Sequence, residues 1–134
     1  MVKKDVWKGL DDDALAKMNM DDFLKKATSR ERRTVQRALK NKNRRLKSLI
    51  EKVREIKKEN PKKVIRTHLR YAVILPEWLG LTFGVYNGKE FKKVEITVKK
   101  VGKRLGDYSH TTGRVAHSGP GVGATRGSKF VPLK

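Results

Sequence analysis

Hydrophobic positions recur at helical spacing in the first half of the chain and alternate in the second. Val35, Ala38 and Leu39 follow Thr28-Ser29-Arg30-Glu31, a Thr-x-x-Glu pattern that predicts a capping box and a helix start. Asn41 and Asn43 interrupt. Leu46, Leu49, Ile50, Val53 and Ile56 then form one narrow apolar stripe, with Arg44, Arg45, Lys47, Lys52, Arg54, Lys57 and Lys58 on the other faces. Asn60-Pro61 stops this helix, because the residue before proline resists the α conformation. Upstream, Asp11, Asp12 and Asp13 suit the N-terminus of a short helix carrying Ala14, Leu15 and Met18. A second short helix is expected over Asp22–Ala27, with Phe23 and Leu24 inward.

From Val64 the period changes. Val64–His68 and Val73–Leu75 are short, β-branched and extended in character, and Pro76–Gly80 reads as a turn or a single helical turn. Leu81–Tyr86 alternates with period two, and Asn87-Gly88 is a hairpin signal because both residues tolerate positive φ. On the return strand, Phe91–Val98, Val94, Ile96 and Val98 alternate with Lys93, Glu95 and Thr97. Phe91 has the opposite parity, which leaves two readings open: it packs over Gly84, or the loop holds an extra residue. Lys99–Leu105 predicts a short helix stopped by Gly106.

The expected fold class is α+β: a small domain with a short, mostly antiparallel three-stranded sheet, N-terminal helices and a long extended C-terminal tail. Residues 1–62 form a helical, increasingly basic extension and 63–108 the core. Residues 109–134, with Gly113, Gly119, Gly121, Gly123 and Gly127, form a basic tail without hydrophobic period.

Charge decides what such a chain meets. Among 134 residues, 34 Lys and Arg stand against 14 Asp and Glu, a net of +20. The first 30 residues are nearly neutral, residues 31–60 carry +8 and residues 61–134 carry +11. Such an excess opposes a compact state unless a polyanion neutralises it, so nucleic acid is the expected partner. No apolar run approaches the roughly 18 residues of a membrane span. Met1–Asp5 leads into no apolar segment, so no secretory signal is expected. Without cysteine there is no disulfide framework or thiolate metal site. A cytoplasmic protein is the expectation.

Catalytic chemistry is not expected. The glycines around Gly119–Lys129 lack the Gly-Lys-Ser/Thr of a phosphate-binding loop, since Gly88-Lys89 is followed by Glu90 and Gly102-Lys103 by Arg104. His68, His110 and His117 match no metal-ligand spacing, and no cofactor or metal is expected. The Asp11–Asp13 and Asp21-Asp22 clusters read as helix-terminal carboxylates. The basic residues remain. Arg66, His68 and Arg70 form one candidate RNA-contact group, and Lys99, Lys100, Lys103 and Arg104 with Tyr108 another. Arg114, His117, Arg126, Lys129 and Lys134 are candidate contacts along the tail. Tyr71, Tyr86, Tyr108 and Phe130 are candidates for stacking on bases, although Tyr86, inside a strand, reads rather as packing.

A family resemblance sharpens this. Ile65-Arg66-Thr67-His68, Ile74-Leu75-Pro76-Glu77, Gly80-Leu81-Thr82-Phe83, Tyr86-Asn87-Gly88-Lys89 and Val101-Gly102-Lys103-Arg104-Leu105-Gly106-Asp107-Tyr108 closely resemble the small-subunit ribosomal protein nineteen family. Ser118–Arg126 and Phe130–Lys134 resemble its archaeal and eukaryotic branch. The family's Ser/Thr-Arg pair after the Gly-Asp/Glu-aromatic ending falls on Thr111 and Thr112 here, with Arg114 two places on. The resemblance implies a structural, non-enzymatic protein bound to small-subunit ribosomal RNA in the subunit head. It implies small-subunit ribosomal protein thirteen as a neighbour and a tail extending toward the decoding region and transfer RNA. The rival readings are a general nucleic-acid chaperone binding by charge, and a small RNA-processing enzyme using His68 or His117.

Overall fold

The computed structural model describes residues 6–113. Four α-helices come first: α1 (Asp12–Ala16), α2 (Met20–Lys26), α3 (Ser29–Leu39) and α4 (Arg44–Glu59). Three strands follow, β1 (Ile65–Thr67), β2 (Thr82–Tyr86) and β3 (Phe91–Glu95), with 3-10 turns at Pro76–Trp78, Val98–Lys100 and Leu105–Tyr108. The expected capping pair forms at the start of α3, where the Thr28 N–H donates to the Glu31 carboxylate at 3.1 Å. Asn41 takes φ +60° to break the chain out of α3. Asn43 then caps α4, its side-chain oxygen accepting from the Leu46 N–H at 3.2 Å.

The sheet has β2 at its centre, with β1 paired to it in parallel and β3 antiparallel. Phe83 and Val85 of β2, Ile65 of β1 and Val94 of β3 are buried, and so are Leu46, Leu49, Ile50, Val53 and Ile56 of α4. These side chains belong to one hydrophobic cluster running in sequence from Phe23 to Leu105. Trp78 sits inside it with its ring 5.0 Å from that of Phe83. Each fully buried side chain of this size contributes about 1.5–3 kcal/mol. The charged partners lie at its rim: Arg54 grips the Glu77 carboxylate at 2.9 and 3.0 Å, and Lys57 Nζ donates to the Glu77 carbonyl at 2.6 Å.

Two sequence expectations are corrected. Val73–Leu75 is not a strand. Ala72 to Leu75 are all buried, and Val73 makes only an isolated bridge to Arg104, so their apolar run reflects burial rather than sheet pairing. Lys99–Leu105 is not one α-helix ended by Gly106. Two 3-10 turns flank Gly102, whose φ of +77° breaks any helix there. The hairpin forms with the expected bounds, its four-residue loop Asn87–Glu90 lying between the paired Tyr86 and Phe91. The Asn87 side-chain oxygen accepts from the N–H groups of Lys89 and Glu90 and holds that turn closed. The register holds no extra residue, so of the two readings left open the first is observed: Phe91 lies on the outer face, its Cβ 3.6 Å from where a Gly84 Cβ would stand. The tail segment 114–134 lies outside the described residues.

Candidate nucleic-acid interface

Strand parity builds the first surface. Gly84 is the register partner of Arg66 on one side and Lys93 on the other, so the three share the face opposite the core. A Cβ on Gly84 would come within 3.3 Å of Arg66 Cγ and 3.5 Å of Val64 Cγ1. The missing side chain therefore leaves room for the Arg66 stem, whose guanidinium carbon stands 5.6 Å from the Phe91 ring centroid. His68 lies just beyond β1, with its ring 4.6 Å from Tyr86 and 5.2 Å from Phe91, and Tyr86 and Phe91 are 5.2 Å apart. The Tyr86 hydroxyl donates to the Gly88 carbonyl at 2.8 Å, which ties that ring to the hairpin turn. Arg66, His68 and Lys93 are exposed, while Tyr86 and Phe91 are half-buried.

Arg70 has a different setting. Its guanidinium donates to the carbonyls of Tyr86 at 2.7 Å, Gly106 at 3.1 Å and Ser109. Together with the buried Ser109 hydroxyl, which donates to the Val85 carbonyl at 3.1 Å, it fastens the Leu105–Tyr108 turn to the end of β2. Lys100 Nζ donates to the Glu95 carbonyl at 2.6 Å and stands 5.2 Å from the Tyr108 ring centroid. Burial, and then the charge of Asp107, raise the Tyr108 phenol above its ordinary pKa, so it stays a neutral hydroxyl. Lys92, Lys93, Lys100 and Tyr108, with Val94 and Glu95, line a shallow groove of about 360 Å³. Lys103 lies elsewhere, in a narrow cleft with Trp7, Lys8 and Thr28. Arg104 is half-buried, its N–H donating to Asp107 at 3.1 Å, and Lys99 is exposed.

Of the sequence candidates, the structure thus joins Arg66 with His68 and Lys100 with Tyr108. It sets Arg70 on backbone carbonyls and Lys103 beside the N-terminal segment. The candidates Arg114, His117, Arg126, Lys129 and Lys134 lie outside the described residues. Phe91 and Lys93 were not singled out from the sequence. Their parity with Gly84 was the available signal, obscured because Phe91 reads as a misplaced core residue.

A second surface runs along α3. Arg30, Arg33 and Arg37 are exposed and spaced so that they share one side of the helix. Glu31 is the sole acid in α3, and it serves the Thr28 cap. Among the described residues three side-chain ion pairs form, Lys25–Asp22, Lys47–Glu51 and Arg54–Glu77, and none touches this stripe. Among the same residues no group of His, Asp and Glu is arranged to hold a metal ion, and no helix is long and apolar enough to cross a membrane.

A family model described as ribosomal protein S19 matches residues 36–117. The small ribosomal subunit proteins uS19 of two strains of Methanococcus maripaludis are 46% and 45% identical to this chain over 129 residues. In each case the alignment covers 96% of this chain and 80% of the relative.

Proposed function

The chain belongs to the ribosomal protein S19 family, and on that premise we propose that it is a structural, non-catalytic constituent of the small ribosomal subunit that holds ribosomal RNA in the subunit head. The observation that carries this reading is electrostatic. A chain with a net charge of +20 forms three ion pairs among its described residues, which leaves most of its cations for an external polyanion. Each Lys or Arg set against a phosphate releases condensed counterions and drives association. Arg66 and His68 on the outer sheet face, the Lys100–Tyr108 groove and the α3 stripe are the surfaces that would do so. Lys99, Lys103 and Arg104 add charge around the turns that follow β3.

The finer placement rests on the family resemblance. The protein works on cytoplasmic ribosomes and neighbours small-subunit ribosomal protein thirteen in the head. The basic, glycine-rich segment 114–134 contacts RNA near the decoding region and transfer RNA through Arg114, His117, Arg126, Lys129 and Lys134. Hydroxyl-radical footprinting of small-subunit RNA tests this reading, with the full chain and a chain ending at Gly113. Both should protect the same head segments, and the shorter chain should lose protection only near the decoding region. Protection spread evenly over the RNA would instead identify a general chaperone.

A further inference from the structure

Resting on the RNA-binding reading above, we propose that the outer face of the sheet is a stacking platform for an unpaired RNA base, formed by Phe91, His68 and Tyr86 with Arg66 and Lys93 at its edge. A sheet face turned to water ordinarily carries polar side chains. Here three planar rings collect at one end of that face within 4.6–5.2 Å of each other, inclined at 49–79°. Arg66 and Lys93 flank Gly84 at the adjoining positions, and the Arg66 stem and Phe91 close over the place a Gly84 side chain would take, which brings that cation against the rings. Glu95, paired with Thr82 at the far end, is the one carboxylate among the outward strand positions.

The composition of the patch selects its occupant. An apolar protein segment would match the rings and leave two cations unexplained. A bare phosphate would match the cations and leave the rings unexplained. A nucleotide presents a π-face and a phosphate within the same few ångströms, and stacking on aromatic rings accepts any base. A paired base shows no such face, so the platform selects unpaired RNA.

The probe is a short single-stranded RNA carrying one 2-aminopurine, titrated with the full chain beside the same sequence in a duplex. The wild type should bind the single strand more tightly and quench its emission. Phe91→Leu and His68→Leu should each weaken binding about tenfold and relieve the quenching. Both should leave the salt slope unchanged, because a ring releases no counterions, and Phe91→Trp should restore the quenching. His68 is exposed, so His68→Leu decides the matter even where Phe91→Leu perturbs the hairpin. Wild-type affinity and quenching in both variants would overturn the platform. So would unchanged emission in a wild type that still binds head RNA, since something other than a base then covers the face. Failure to bind either RNA would overturn the RNA-binding reading as well.

Discussion

Arg70 points its guanidinium at three backbone carbonyls, whereas Arg66, at the middle of β1, carries its own out over Phe91. The same residue type serves as a strut in one place and, in the proposed interface, as an RNA-facing cation in the other. Arg70→Met leaves those carbonyls without their charged donor and should lower stability by about 2–4 kcal/mol. Arg66→Met should stay within about 0.5 kcal/mol of wild type and weaken RNA binding instead. Urea denaturation and RNA titration of both variants separate the roles, and equal destabilisation would contradict the assignment. Gly106→Ala tests the same strut from its other end. The new Cβ would sit 2.9 Å from the Arg70 carbonyl oxygen, so backbone must move, at a cost of about 1–3 kcal/mol. Sequence could not separate the two arginines. The partners of Arg70 lie at Tyr86, Gly106 and Ser109, far along the chain, and only the fold brings them together.

Elements with local signals were legible. The helix-spaced stripe of α4 and its Asn60-Pro61 stop are written within a few residues of one another, as are the Thr28–Glu31 pairing and the alternation of β2. Elements defined by tertiary packing were not. Val73–Leu75 looks like a strand because buried segments and buried strands share an apolar composition. The residues after Val98 look helical because two short turns around Gly102 carry the same charge-rich composition as a helix. The candidate site followed the same division: Arg66 and His68 came from residue type, whereas Phe91, Lys93 and the α3 stripe needed a face on which to be read. That stripe yields a prediction of its own. Like charges one helical turn apart cost roughly 0.2–0.5 kcal/mol per pair. Replacing Arg30, Arg33 and Arg37 with glutamine should therefore leave the free protein as stable as before or slightly more so. On duplex RNA, the slope of log affinity against log salt should flatten by about 0.9 for each phosphate that no longer meets a cation. A triple variant with the wild-type salt slope would remove α3 from the interface.

At the scale of the molecule, a single hydrophobic cluster gathers α2, α3, α4 and the inner sheet face, and places charge on what remains outside. The outer sheet face, the Lys100–Tyr108 groove and α3 are separate outlets for that charge. Family membership identifies the class of assembly in which such outlets belong. Charge alone would bind any polyanion, and in the proposed function the frame behind these surfaces is what would let one RNA shape be preferred. The most direct test compares the full chain on the isolated head domain of small-subunit RNA with its binding to a length-matched scrambled RNA, both across a salt series. Preference for the head domain should persist as salt rises, because shape and stacking are not screened. Two curves that collapse together would show charge acting alone and contradict the account.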